Sequence, residues 1–279
     1  MLLCDAGEGI QIALKRGGLG IRALDAAVIS HLHADHTLGL PGIMMFRAQN
    51  ENPGPFTIIG PPGLKQFIQA TIEVLGCRIN YEYNIIEWHP DAGEVAWQWH
   101  DVQVRWTPLD HSTFCLGYRL QENVRPGRFL VEKATALGVP PGPLYRRLQE
   151  GESVSLADGR TVCSEEVLGP PRPGRSVVFA TDTRPCEGLS RLLAKADLAF
   201  VEGMFAAEHA EEAARKKHMT AEEAARAVEA AKTRRAVLVH ISPRYTLADE
   251  QLLESEARKI CPRTEISASL KSYSVPMDK

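Results

Sequence analysis

The sequence predicts an α/β fold: one large domain that carries an insert. Three observations lead there. Short apolar runs alternate along the chain with patterns of helical period. Several of those runs are followed at once by histidine or aspartate. One stretch, residues 122–174, is punctuated by Gly and Pro and has little apolar periodicity. With 279 residues, 44% of them hydrophobic, the chain can bury a sizeable core.

Taken in order, residues 26–30 (AAVIS) read as a buried strand that runs into His31. Residues 56–59 (FTII) are a second strand, closed by Gly60-Pro61-Pro62-Gly63. Residues 65–75 then place Ile68, Ile72 and Leu75 on one helical face. From 95 to 106 apolar residues alternate as in half-buried strands, with Val102, Val104 and Trp106 on the inner face. Residues 122–174 hold Pro126-Gly127, Pro140-Pro141-Gly142-Pro143 and Gly169-Pro170-Pro171-Arg172-Pro173-Gly174, and read as an extended arm without a core of its own. Ser176–Ala180 (SVVFA) and Ala236–Val239 (AVLV) are strand cores again. Between them, residues 220–232 form a helix, because Thr220 and Glu223 make a T-x-x-E capping box.

Composition narrows the function classes. The formal net charge is −3, so total charge announces no nucleic-acid partner. Residues 119–149 are locally basic, with six Arg or Lys against two acidic residues. No apolar stretch approaches the about 20 residues of a membrane helix, and the acidic first residues do not read as a signal peptide. Six cysteines are scattered with no C-x-x-C pair, as expected for reduced thiols in a cytoplasmic protein.

The chemistry concentrates in His31-Leu32-His33-Ala34-Asp35-His36. At the end of a strand, His31 and His33 can point the same way, while Asp35 and His36 lie where the chain turns toward a helix. Imidazole nitrogen with carboxylate oxygen suits zinc, and also manganese or cobalt. One cluster cannot complete two coordination shells. Three candidates stand at other strand ends: His111 after the 102–106 strand, Asp182 after SVVFA and His240 after AVLV. Alone, each reads most simply as a core or turn residue; together they form one constellation. Two divalent ions ~3.5–4 Å apart can activate a water between them and stabilise charge on an attacked phosphorus. His218, just before the capped helix, is not needed to fill the shells and can protonate a leaving alkoxide, with Glu202 holding its tautomer. His89, His100 and His209 have no ligand spacing and read as structural or exposed, and residues 208–217 read as a solvated helix face.

These residues resemble ribonuclease Z. Asp5-Ala6-Gly7-Glu8-Gly9-Ile10-Gln11 is similar to that family's DxGEGxQ segment, and HLHADH with Gly39-Leu40-Pro41-Gly42 to its histidine motif. Asp110-His111-Ser112, Thr181-Asp182-Thr183-Arg184-Pro185, Lys216-Lys217-His218-Met219-Thr220 and His240-Ile241-Ser242 resemble its later segments in the same order. The resemblance implies a metallo-β-lactamase αβ/βα four-layer sandwich with the metals at one edge. It implies one metal site from His31, His33 and His111 and a second from Asp35, His36 and His240, with Asp182 bridging. Asp35 would also steer the attacking water, and His218 with Glu202 would donate the proton. The implied cofactors are two divalent ions, zinc before manganese or cobalt. The implied reaction is endonucleolytic removal of the 3′ trailer from precursor tRNA by metal-activated hydroxide, in a homodimer. The insert resembles the family's flexible arm, with Arg125, Arg128, Gly142, Pro143, Arg146 and Arg147 as RNA contacts.

Three departures set further expectations. Met1 stands almost on the DxGEGxQ segment, so the first strands of the family's fold are missing and a sheet edge is expected to be open. Val201 stands before Glu202 where many members have His, and the arm has Gln149 and Glu150 where more basic residues are expected. Two alternatives stay open: a phosphodiesterase acting on another RNA or a small diester, and a non-catalytic metal-binding relative.

Overall fold

Apolar residues on both faces of a strand require a cover on each side of its sheet. A computed structural model describes residues 1–92 and 96–276 of the chain. Strands β1 (Leu2–Cys4), β2 (Ala26–Val28), β3 (Phe56–Gly60) and β4 (Tyr83–Glu87) form a parallel sheet in that order. Strands β5 (Ala96–Trp99), β6 (Val102–Leu109) and β7 (Cys115–Glu122) form an antiparallel meander. The insert supplies a small hairpin of β8 (Val154–Ser155) and β9 (Thr161–Val162). Strands β10 (Ser176–Ala180), β11 (Leu198–Glu202), β12 (Ala236–Val239) and β13 (Thr264–Ile266) are parallel. β10 pairs antiparallel with β7, giving a second sheet ordered β13-β12-β11-β10-β7-β6-β5.

Side-chain alternation divides these sheets into the four layers that the resemblance implied. Ala27, Ile29 and Ile58 face outward and pack with Leu40, Met44, Leu64 and Ile68 of the helices Leu40–Arg47 and Leu64–Val74. Val28 and Ile59 face inward, where they meet Val104, Trp106, Leu116 and Tyr118 of the second sheet. Trp88 stacks on Trp106 at 5.4 Å, a pair worth about 0.5–1.5 kcal/mol beyond its buried area. The Tyr118 hydroxyl donates to the Ile29 carbonyl at 2.6 Å and pins one sheet to the other. Val178, Ala180, Val201 and Leu238 face the opposite way, onto the helices Glu187–Leu193, Ala221–Ala230 and Leu247–Ile260.

The elements depart from expectation at their ends and in the insert. β2 stops at Val28, so His31 and His33 stand in the following loop and not on the strand itself. The helix from Leu64 ends at Val74; Ile68 is buried, but Leu75 is 58% exposed because it lies beyond the last helical turn. Position 95 lies outside the described residues, and the alternating stretch is a hairpin of β5 and β6. Thr220 caps the helix Ala221–Ala230 with both bonds of the predicted box. Residues 122–174 do have a core of their own: Ala134, Val139, Leu148, Val154, Val162 and Val167 are buried together. Its apolar residues come from three short helices and a hairpin, so no single segment is long enough to show a period. β1 is an edge strand of its sheet among the described residues.

Candidate metal centre

The pairing pattern brings the functional residues to one edge. β10, β11 and β12 run parallel, and β6 shares their direction because β7 is antiparallel to both β6 and β10. Their carboxyl ends therefore open on the same side. His111 follows β6, Asp182 follows β10, Glu202 ends β11 and His240 follows β12. The first sheet contributes Asp5 after β1 and the His31–His36 loop after β2. Asp5, Asp182 and His240 all have positive φ, at 56°, 51° and 58°. Such backbone costs on the order of 1–3 kcal/mol per residue and persists only where the surroundings enforce it. Here it swings three side chains out of line with their strands and into one volume.

All seven predicted ligand residues meet there. His31 with His33 and His111, His31 with His36 and Asp182, and Asp35 with His36 and His240 each offer atoms within 4.8 Å of one another. His31 Nε2 lies 2.8 Å from His33 Nδ1, which lies 3.4 Å from His111 Nε2. Asp182 faces both groups: its Oδ1 is 4.0 Å from His31 Nε2 and 3.4 Å from His240 Nε2, and its Oδ2 is 3.4 Å from His36 Nε2. Asp35 Oδ2 lies 3.3 Å from His36 Nε2 and 3.5 Å from His240 Nε2.

The surrounding hydrogen bonds set which ring nitrogens keep lone pairs. Ser30 Oγ gives its one proton to Asp5 Oδ2 at 2.8 Å, so His31 Nδ1 donates to Ser30 at 3.0 Å and leaves Nε2 bare. His111 Nδ1 donates to the Lys217 carbonyl at 3.1 Å, which bares its Nε2 as well. Both bared nitrogens face His33 Nδ1, so lone pairs converge on a volume where a cation could accept them. His36 Nδ1 donates to Asp5 Oδ2 at 2.7 Å, and its buried Nε2 has no hydrogen-bond partner. Nitrogen and oxygen donors oriented by outer carboxylates and carbonyls fit divalent transition metals.

The electrostatics agree. Burial drives the His31 imidazole down to about 3, which keeps it neutral. Burial also opposes charge on His36, but the Asp5 hydrogen bond and the charges of Asp5, Asp182 and Asp35 carry it up to about 9. Burial would raise the Asp182 carboxyl, yet the neighbouring imidazoles of His240 and His36 hold it below its ordinary value. The carboxylates of Asp5, Asp182 and Asp35 thus favour positive charge at this place, which suits a bound cation.

His218 and Glu202 are also in place. His218 Nδ1 is 3.3 Å from Glu202 Oε2 and 3.9 Å from Asp182 Oδ1. Glu202 is fully buried, which raises its carboxyl, while its bond to His218 opposes the rise. It also accepts from the Thr183 and Met219 backbone nitrogens. Val201 points away from the site into the outer core. Asp5 and Ser30 are the functional residues that the ligand pattern missed. An aspartate directly after an apolar strand and before a glycine turn was the available signal. Gly7 is required where this loop docks, since a Cβ there would lie 2.1 Å from the Asp35 carbonyl.

The other predicted residues lie outside this cluster. His89 is exposed, His100 bonds Asp25 at 2.8 Å and His209 bonds Tyr245 at 3.0 Å. In the arm, Arg125 bridges to Arg172, and Arg128, Gly142 and Pro143 are exposed or part-exposed. Arg146 pairs with Glu150 at 2.9 Å and Arg147 with Glu152 at 2.7 Å.

Comparison with known proteins places this geometry. Residues 1–124 match a family described as anti-Pycsar protein Apyc1, and residues 151–241 match the beta-lactamase superfamily domain. A ribonuclease Z of Treponema denticola is 40% identical over 267 residues, which is 96% of this chain and 86% of that protein. The chain belongs to the ribonuclease Z family. A second ribonuclease Z, from Methanosarcina acetivorans, is 41% identical over 276 residues, 99% of this chain and 89% of that protein. The fold is that of the crystal structure of human tRNase Z, short form, at a TM-score of 0.69 and 20% identity, covering 99% of this chain and 88% of that one. With membership come the metallo-β-lactamase fold, divalent-metal binding and the reaction class of a metal-dependent endoribonuclease. Residues 125–150, the first half of the arm, fall between the two family matches.

Proposed function

We propose that this chain removes the 3′ trailer from precursor tRNA with two divalent ions, zinc first among them. The observation that carries the reading is Asp182, which stands between the two groups of one cluster: its Oδ1 is near both His31 and His240, and its Oδ2 is near His36. His31, His33 and His111 would hold one ion and Asp35, His36 and His240 the other, with Asp182 available to both. The ions, when bound, activate water and neutralise charge that builds on the phosphate. Asp35, half out in solvent beside His240, accepts a hydrogen bond from the attacking water and aims it. His218 gives the proton of its Nε2 to the departing 3′ oxygen, while its Nδ1–H donates to buried Glu202, which fixes the ring so that Nε2 faces the substrate.

The arm grips tRNA through Arg125, Arg128, Arg146 and Arg147, with Gly142 and Pro143 at the turn that opens its helix. A homodimer fits the exposed Ile12, Leu19 and Phe46, which rim a cleft of about 1370 Å³ between two helices. The unpaired state of all six cysteines supports a cytoplasmic setting, and no described helix is long and apolar enough to cross a membrane.

The test is precursor-tRNA cleavage and metal content on one sample, with and without chelator. Cleavage that survives complete metal removal overturns the reading. The pairing of Arg146 and Arg147 with acidic neighbours favours a second reading, hydrolysis of a smaller diester, since it leaves the arm less free positive charge. In that case the protein would turn over bis(4-nitrophenyl) phosphate but leave precursor tRNA intact.

A further inference from the structure

His218 stands on a loop, and a proton donor on a loop is useful only if its backbone is held. The His218 nitrogen donates to the Ala213 carbonyl at 2.9 Å, and a linked set of side chains holds its carbonyl. Arg184 Nη1 donates to the His218 carbonyl at 2.6 Å. The same guanidinium pairs side-on with Glu223, at 2.8 Å from Nη1 to Oε2 and 2.6 Å from Nη2 to Oε1. Glu223 Oε2 in turn accepts from the Thr220 backbone nitrogen at 2.9 Å, and the Thr220 hydroxyl accepts from the Glu223 nitrogen. Arg184 also donates its own backbone nitrogen to the Asp110 carbonyl at 2.8 Å, beside His111. The pair is only about one-fifth exposed, so solvent competes weakly for it.

Arg184 is two residues past Asp182, and Glu223 sits in the first turn of the helix that follows His218. Their bidentate contact therefore locks the distance between the chain segment of the central carboxylate and the segment of the proton donor. A bidentate Arg–carboxylate pair fixes orientation as well as separation, which lysine cannot reproduce. The T-x-x-E box already explains why Glu223 suits a helix start. It does not explain why that carboxylate also carries a guanidinium bonded to the His218 carbonyl.

We propose that Arg184 and Glu223 are positioning residues that register His218 against Asp182 for protonation of the leaving oxygen. The proposal rests on the general-acid reading of His218. Neither residue touches substrate in this role.

Leaving-group dependence tests it. A general acid matters for an alkoxide leaving group and little for 4-nitrophenolate, which departs without a proton. His218→Ala, Arg184→Gln, Arg184→Lys and Glu223→Gln are compared in the metal-loaded full-length enzyme on precursor tRNA and on bis(4-nitrophenyl) phosphate, with metal content measured. Misplacing a reacting group can cost about 10²-fold. Arg184→Gln and Glu223→Gln are expected to lower kcat on precursor tRNA by about 10–10²-fold with KM and metal content held, and to spare the nitrophenyl ester. Arg184→Lys, which keeps the charge but not the fork, falls between. If Arg184→Gln slows both substrates equally, sheds metal or changes neither rate, the positioning role is wrong. If His218→Ala itself shows no difference between the two substrates, the general-acid reading falls and the positioning role with it. If only His218→Ala shows the difference, the positioning role alone falls.

Discussion

The metal centre and the arm are built on opposite plans. At the centre, buried carboxylates and carbonyls fix three of the imidazoles: Asp5 serves His36 and, through Ser30, His31, while the Lys217 carbonyl serves His111. In the arm, a cluster of six buried apolar residues supports short helices whose arginines lie at the surface, each with an acidic neighbour. Chemistry needs atoms held to fractions of an ångström, so it is placed at strand ends between two packed sheets. The grip on a long polyanion that we propose for the arm needs reach and charge, and tolerates looser geometry. The two can therefore be broken separately.

The sharpest break comes at the carboxylate shared by both halves of the centre. Asp182→Ala is expected to lose metal and activity together, checked by elemental analysis beside the cleavage assay. His218→Ala should keep its metal and lose about 10²–10⁴-fold in rate on precursor tRNA; loss of an ion from this variant would make His218 a ligand instead. Deleting residues 125–149 separates the regions most directly. It should abolish tRNA cleavage while hydrolysis of bis(4-nitrophenyl) phosphate continues, and equal survival of both activities would remove the arm from RNA binding. Asp5→Asn leaves every ligand in place but weakens their orientation, so metal affinity is expected to fall about 10–100-fold in a chelator competition. The smallest effect is Thr220→Ala, which removes a helix cap and should cost about 1 kcal/mol in denaturant unfolding.

Much of the centre could be read along the chain because ligand chemistry leaves local marks. His31, His33, Asp35 and His36 are adjacent in sequence, and His111, Asp182 and His240 each follow an apolar run closely. The strand cores and the capped helix at Thr220 were legible for the same reason: alternation and capping involve residues only a few positions apart. Glu202 and His218 were visible as chemistry-bearing types near element ends and could be paired from the sequence, and the family resemblance reinforced the pairing.

Other features belong to tertiary structure alone. The arm's core is assembled from pieces too short to show a period, so its six buried residues are collected only when the hairpin and helices fold together. Arg47 is fully buried, bonded to the carbonyls of Ile21, Pro53 and Gly54 and packed on Phe56 and Tyr81, where the sequence shows only a charged residue late in a helix. The tautomers imposed by Asp5 through Ser30 and by the Lys217 carbonyl likewise depend on partners many residues away. By itself the sequence determined which groups could bind metal and which segments would become strands and helices, because those preferences act between close neighbours. Which nitrogen faces inward, and how near the donors come, was decided by two sheets packing face to face, because only that packing brings distant hydrogen-bond partners together.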